Sequence, residues 1–154
     1  MLHATTKSNS SLRLLVVEDN PDDRLLMLEA WKHFPLGKEV YFVNDGVELL
    51  DYLYHQGPYA DPQSSPRPDL VLLDLYMPKK DGHQVLVEIQ SNNELKPIPI
   101  VIFSNSMARG DMTRSCQLGA ATFLHKPVNL SGYEATFQAI EKFLPNIINL
   151  ANVS

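Results

Sequence analysis

The stretch Leu70-Val71-Leu72-Leu73-Asp74 decides the fold, because two other segments of the chain repeat its form. Leu14-Leu15-Val16-Val17 runs directly into Glu18-Asp19, and Lys126 closely follows Ala121-Thr122-Phe123-Leu124. Apolar runs without polar alternation are typical of strands covered by helices on both faces of a parallel sheet. The charged residues would then lie at the carboxyl edge of the sheet, where open α/β sheets bind ligands.

Apolar strand patterns alternate with helical patterns along the chain. The predicted strands are 12–18, 40–43, 69–74, 98–103 and 121–124, and the predicted helices begin near residues 21, 47, 83, 107 and 131. Gly119 is expected to cap the fourth helix. Ser131 and Glu134 are expected to form a capping box for the last helix, and Pro145 is expected to kink or stop it. The alternation predicts an α/β fold with a doubly wound five-stranded parallel sheet.

The rest of the chain fits a single domain. Residues 1–11 are expected to form a flexible tail, residues 12–150 the domain, and residues 145–154 an extension beyond its last helix. Four prolines and a glycine between 56 and 68 predict a long loop. No further segment suggests an output domain, so we expect a partner or a second copy to recognise the domain surface itself.

Composition narrows the classes of function. The 154 residues are 44% hydrophobic and 20% charged, with a net charge of −5 and no basic cluster longer than two lysines, which argues against nucleic-acid binding. The lone Cys116 cannot form an internal disulfide, and no signal peptide or span of about 20 apolar residues is evident. We therefore expect a cytoplasmic protein that does not bind membranes.

The charges at the strand ends suit phosphoryl chemistry. Glu18, Asp19 and Asp74 would repel one another and attract a cation, and an incomplete set of oxygen ligands suits Mg2+. Lys126 would supply a positive charge, and Ser104 a hydroxyl, for phosphate oxygens. Taken singly, such an acid more often caps a helix or lies in a solvated turn. The coincidence of four strand ends favours a phosphoryl group carried on Asp74.

The segments Val16-Val17-Glu18-Asp19-Asn20, Leu72 to Pro78 with Asp81-Gly82, and Phe123 to Pro127 resemble the receiver domain of two-component response regulators. The resemblance spans about residues 12–144 and implies a flavodoxin-like (CheY-like) sheet of strand order 2-1-3-4-5.

The same resemblance implies roles for individual residues. Asp74 would accept phosphate from a sensor histidine kinase, and Mg2+ would be held by Glu18, Asp19, Asp74 and the backbone carbonyl of Tyr76. The residues that engage the phosphoryl group or switch with it would be Ser104, Asn105, Phe123, Lys126 and Pro127, with a cis bond between the last two. From its position alone, Phe123 is better interpreted as an ordinary core aromatic than as a switch residue.

A narrower resemblance links Ser65 to Leu70 and Pro78 to Gly82 with stand-alone regulators that partner phytochrome-type kinases. Two positions depart from the commonest receiver pattern, because Tyr76 is bulky and Asn105 replaces a small residue. Both are expected to slow the access of water and small phosphodonors to Asp74.

Three other classes of protein are less compatible with this sequence. An aspartate-nucleophile phosphatase of the haloacid dehalogenase kind would carry a second Asp at position 76, where this chain has tyrosine. A pseudo-receiver that only binds partners would lack the acidic pair or Lys126, and both are present. A P-loop is excluded because no Gly-rich loop ends in Gly-Lys-Ser/Thr. We expect a switch whose only catalysis is its own phosphorylation and dephosphorylation, and no enzyme acting on other substrates.

Self-association is also expected. Beyond the last predicted helix the chain carries Ile147, Ile148, Leu150 and Val153, which a compact receiver would not need. The alternative is a frayed tail folded over its own domain. Exposed apolar surface of this kind usually marks an interface. We therefore predict a homodimer through the face made by the fourth helix, fifth strand and fifth helix.

Overall fold

Five parallel strands form one sheet in the computed structural model, which describes residues 12–34, 37–77, 79–106 and 108–153. The strands are β1 (Leu12–Val17), β2 (Gly37–Val43), β3 (Leu70–Leu73), β4 (Ile100–Ser104) and β5 (Thr122–His125). Their order is β2-β1-β3-β4-β5, with every pairing parallel. The predicted doubly wound sheet and its strand order are confirmed, and the predicted tail at 1–11 lies outside the described residues.

Five helices follow the strands in turn. They are α1 (Pro21–Lys32), α2 (Gly46–Leu53), α3 (Gly82–Gln90), α4 (Arg109–Gln117) and α5 (Leu130–Val153). The start of α1 is encoded locally, because Asn20 Oδ1 accepts hydrogen bonds from the backbone N–H groups of Asp22 and Asp23 at 2.9 and 3.1 Å. Gly119, just beyond α4, has a φ of +103°, in keeping with its predicted place at a helix end.

The last helix differs from its prediction at both ends. Asn129 rather than Ser131 caps it, because Asn129 Oδ1 accepts from the Gly132 N–H at 2.9 Å while the Ser131 hydroxyl donates to the same oxygen. Pro145 does not stop the helix, which continues to Val153. A proline removes only one backbone donor from a helix, so the remaining hydrogen bonds can carry a 24-residue helix past it.

The core has two halves, one on each face of the sheet. Side chains alternate along the strands: Leu15 and Val17 point into one half, and Leu14 and Val16 into the other. The first half is completed by α2 and α3, and the second by α1 and α5. The central strands are buried on both sides for this reason, which explains their continuous apolar sequences.

The long loop between α2 and β3 is tied down by hydrogen bonds. It includes a short 3-10 helix at Gly57–Tyr59. The Tyr52 hydroxyl donates to the Pro66 carbonyl at 2.8 Å, and His55 Nε2 lies 2.9 Å from the carbonyl of the buried Ser65. The loop thus closes against the end of α2.

Within the described part of the chain, no helix is long and apolar enough to cross a bilayer.

Gly82 provides a direct test of how β3 leads into α3. Its N–H donates to the Leu75 carbonyl at 2.7 Å, and an added methyl would overlap the Asp74 carbonyl and lie 2.7 Å from Leu75 Cα. We predict that Gly82→Ala lowers the free energy of unfolding by about 1–3 kcal/mol because backbone must move. Gly110→Ala is the matched control: nothing lies within 4 Å of its added methyl, so helix propensity should stabilise by about 0.5–1 kcal/mol. Urea unfolding of both variants checks this, and a loss in Gly110→Ala as large as in Gly82→Ala contradicts it.

Candidate functional site

A crevice opens at the carboxyl edge of the sheet, beside the adjacent strands β1 and β3. The chain leaves β1 for α1 on one face, whereas β2 and β3 are followed by helices on the other face. Connections that diverge in this way leave a crevice at the strand ends. Glu18 extends the edge of β1, because its N–H donates to the Val43 carbonyl at 2.9 Å.

Lys126 lies at the centre of this crevice. Its ammonium forms an ion pair with Glu18, and it lies 3.8 Å from Asp23 Oδ2 and 3.9 Å from Asp74 Oδ2. Lys126 and Glu18 are both buried, with 9% and 6% exposure, whereas the Asp74 side chain keeps 21% of its surface. Three predicted residues are therefore brought together, and Asp23 joins them.

The surrounding carboxylates raise the pKa of Lys126. Burial alone would lower its pKa, but the hydrogen bond to Glu18 and the charges of Glu18, Asp74 and Asp23 outweigh burial. The pKa of Lys126 is consequently raised above its ordinary value of 10.5, and the group is a cation at any physiological pH.

Glu18 is held from several directions. One carboxylate oxygen pairs with Lys126, and the other accepts from the Asn20 N–H at 3.0 Å. Its backbone carbonyl accepts from Arg24 Nε at 2.5 Å, and the Arg24 guanidinium also donates to Asn44 and lies 5.1 Å from the Phe42 ring centroid. This leaves Glu18 oriented toward the lysine, and its predicted role as a direct metal ligand stays a prediction.

Asp19 and Asp74 are better placed to bind a cation that keeps some of its water than to enclose one with protein ligands alone. Asp19 is exposed and Asp74 is partly exposed, so both carboxylates face solvent. In the ranges that the structure describes, no three His, Cys, Asp or Glu side chains are already grouped to hold a metal ion. Mg2+ is commonly bound through one or two carboxylates with waters and phosphate oxygens, so this donor set fits it.

Ser104 and Lys126 are linked through the backbone. β4 pairs with β5 so that Ser104 lies opposite His125, and the Lys126 N–H donates to the Ser104 carbonyl at 3.0 Å. The predicted cis bond between Lys126 and Pro127 is wrong, because no described peptide bond is cis. The strand pairing already places Lys126 in the crevice, and Pro127 lies against Gly132 at the start of α5.

The other predicted residues border the crevice with different exposures. Ser104 is buried, and its Oγ accepts from the Ser106 N–H at 3.2 Å, which leaves the hydroxyl hydrogen free to donate. Asn105 is exposed, while Phe123 is half-buried against the core. Tyr76 is 64% exposed, and its N–H donates to Asp74 Oδ1 at 3.3 Å.

Three residues near the site were missed from sequence. Asp23 resembles an ordinary acid in the first turn of a helix, and Arg24 resembles a surface residue of the same turn. Asp111 lies 35 residues from Tyr76, yet its carboxylate accepts from the Tyr76 hydroxyl at 2.5 Å. The local pattern around Asn20 could have suggested Asp23, since the cap orients that turn toward the end of β1. No local signal indicates Asp111.

Comparison with known proteins identifies this arrangement. Residues 14–138 match the family model of the response regulator receiver domain. The chain belongs to this family. As a receiver, it is 38% identical over 144 residues to the response regulator Rcp1 of Synechocystis, spanning 94% of this chain and 96% of that protein.

Solved structures of receivers agree with this fold. The phosphorylated cyanobacterial phytochrome response regulator RcpA shares 41% identity and superposes with a TM-score of 0.77, covering 86% of this chain and 93% of that one. The Mn2+-bound form of Rcp1 shares 38% identity with a TM-score of 0.75, covering 86% and 94%. This receiver is thus similar to response regulators associated with phytochromes.

The Lys126–Glu18 pair allows a test of the receiver site without phosphorylation. We predict that Lys126→Met lowers the free energy of unfolding by about 3 kcal/mol in metal-free buffer, because buried Glu18 loses its cation. Lys32→Met removes a lysine whose pair with Glu29 is exposed, so its effect should stay within about 0.5 kcal/mol. Urea unfolding measures both variants. Equal losses would show that the buried pair contributes no more to the free energy of unfolding than the exposed pair does.

Proposed function

We propose that the protein is a phosphorylation-controlled switch that accepts a phosphoryl group on Asp74 from a sensor histidine kinase. The observation that carries this proposal is the buried ammonium of Lys126, 3.9 Å from a partly exposed Asp74 carboxylate at the carboxyl edge of the sheet. A buried cation beside an accessible carboxylate provides a nucleophile and a charge that can stabilise the phosphoryl oxygens.

The transfer follows from these positions. A carboxylate oxygen of Asp74 attacks the phosphorus of a phosphohistidine, the P–N bond breaks, and the imidazole leaves as an acyl phosphate forms. Lys126 moves from Glu18 toward the new phosphoryl oxygens, and the Ser104 hydroxyl donates to one of them. Hydrolysis by water would then regenerate the carboxylate, so the protein's catalysis is directed at itself.

Mg2+ is the proposed cation of this site. Asp19, Asp74 and the backbone carbonyl of Tyr76 would hold it, with Glu18 in support, and when bound it would neutralise charge on the transferring group. The Mn2+-bound structure of the similar Rcp1 supports a divalent ion in such a site. We propose Phe123 and Asn105 as the residues that respond to the phosphoryl group around Ser104 and Lys126.

A phytochrome-type kinase is the proposed donor. Rcp1 and RcpA are relatives over most of the chain, and RcpA is described as a phytochrome response regulator. Two exposed apolar side chains lie close in sequence to residues of the site: Leu25, two residues after Asp23, is 63% exposed, and Val128, two residues after Lys126, is 89% exposed. Exposed apolar side chains of this kind suit transient contact with a kinase helix. The free, exposed Cys116 supports a location in the cytoplasm, because thiols are kept reduced there.

The phosphoacceptor can be tested directly. We predict that acetyl phosphate with Mg2+, or a phosphorylated phytochrome-type kinase, adds one phosphoryl group to the wild type and none to Asp74→Asn, which lacks the carboxylate nucleophile. Asp69→Asn is the matched control, because it alters the acid before β3 at the opposite end of the strand. Intact-protein mass spectrometry gives the count. Labelling retained by Asp74→Asn would refute the assignment, and an unlabelled wild type would favour a module that only binds partners.

We also propose that two copies associate through α4, β5 and α5. β5 is an edge strand, and exposed apolar side chains occur on both helices, with Met112 48% and Phe143 52% exposed. α5 continues ten residues beyond Phe143, through a segment whose sequence includes Ile147, Ile148 and Leu150. Two copies meeting on one such face would form a two-fold dimer.

Truncation tests the dimer. We predict that the full chain sediments as a dimer at micromolar concentration, more strongly with Mg2+ and beryllofluoride, whereas a chain ending at Leu144 shifts at least tenfold toward monomer because apolar surface is lost. Phe143→Glu should act like the truncation, and the exposed Lys142→Ala should not. A wild type that stays monomeric in every condition excludes the dimer. A truncated chain that dimerises equally well excludes the C-terminal segment as its cause.

A further inference from the structure

The carboxylate of Asp111 joins two loops of the site. One oxygen, Oδ2, accepts hydrogen bonds from the hydroxyls of Tyr76 and Ser106, each at 2.5 Å. Tyr76 belongs to the loop after β3, and Ser106 belongs to the loop after β4. Asp111 itself lies in the first turn of α4. One carboxylate oxygen therefore connects both loops to this helix.

The two loops meet Asp111 in the same way. Tyr76 is two residues after Asp74, and its N–H donates to the Asp74 carboxylate at 3.3 Å. Ser106 is two residues after Ser104, and its N–H donates to the Ser104 hydroxyl oxygen at 3.2 Å. Each loop thus contains a residue whose backbone contacts a functional side chain and whose own hydroxyl binds Asp111. Asp111 is therefore linked to Asp74 through Tyr76, and to Ser104 through Ser106.

Asp111 is held in place by further contacts. Its N–H donates to the Ala108 carbonyl at 3.1 Å, and its carbonyl accepts from the Ser115 hydroxyl at 2.7 Å. Ser115 Oγ in turn lies 3.2 Å from Nε2 of the buried His83 at the start of α3. A fixed acceptor can transmit its position to the groups that bind it, whereas a free surface carboxylate cannot.

A simpler role for Asp111 is the stabilisation of α4 by a negative charge in its first turn. That role needs no particular partner for the carboxylate, and here the residue before α4, Ala108, provides no side-chain cap. The two hydroxyl contacts lead away from the helix to the loops. The two roles can be separated, because Tyr76→Phe removes one contact and leaves the charge of Asp111 unchanged.

We propose that Asp111 is a positioning residue for phosphorylation: it braces the loops of Asp74 and Ser104 at the separation that phosphoryl binding requires. This inference rests on the proposed function of Asp74. Groups held in reactive geometry before a ligand arrives do not lose conformational freedom when it binds. Without the brace, the phosphoryl group itself would have to order the two loops when it binds. That ordering costs free energy, so the site would bind the phosphoryl group more weakly.

The test is a double-mutant cycle with beryllofluoride and Mg2+ as the phosphoryl analogue. The proteins are the full-length wild type, Tyr76→Phe, Asp111→Asn and the double variant, with Thr113→Ala as a control on the exposed face of α4. Tyr76→Phe should bind the analogue about three- to tenfold more weakly, the range expected for one lost hydrogen bond, and Asp111→Asn, which alters the acceptor of both contacts, should bind it at least as weakly. The double variant should be no weaker than the worse single variant, because both remove the same brace. Thr113→Ala should bind like the wild type.

A second measurement examines the brace without the analogue. NMR relaxation of the backbone amides in the metal-free protein should show Tyr76 and Ser106 becoming more mobile together in both single variants. A role confined to helix stability would instead loosen α4 in Asp111→Asn and leave Tyr76→Phe unchanged. Unchanged affinity in Tyr76→Phe, or losses that simply add in the double variant, would overturn the brace. A wild type that does not bind the analogue would overturn the proposed function itself, whereas normal binding by all variants overturns the brace alone.

Discussion

The ion pair between Lys126 and Glu18 is the constraint on which the site depends. Burying a lone charge is costly, so each residue of the pair requires the other. Lys126 can reach Glu18 only if the end of β5 and the end of β1 share one edge of the sheet, although β3 and β4 lie between these strands. The polar cluster therefore requires that β1 and β5 run in the same direction within one sheet, and the apolar strands stabilise that sheet.

The alternation of side chains across the sheet explains why the site lies where it does. Every central strand fills both halves of the core along its length, so its interior has no room for polar chemistry. Only the residues just beyond the strands are free to be charged, as Glu18 and Asp74 are. Chemistry at the strand ends can thus vary in sequence with little effect on the packing that supports it.

Much of this could be predicted from sequence, because the deciding signals are local. The apolar runs predicted the strands, and Asn20 with Pro21 marked the start of α1. The two errors in α5 are local, because an earlier capping residue and the helix's own hydrogen bonds override the signals of Ser131 and Pro145. Asn129 takes the capping position expected of Ser131, and the helix tolerates Pro145. The carboxylates of the site could be predicted because they end strands, whereas Asp111 could not, because its partners are joined to it only by the folded chain.

The length of α5 has a mechanical consequence. This helix begins three residues after Pro127, beside the lysine of the site, and its 24 residues span about 36 Å. A rigid rod pivoting near one end magnifies motion at the other, so a tilt of about 5° at Leu130 would carry the far end through about 3 Å. A change in charge too small to alter the core could therefore become a displacement that another molecule detects.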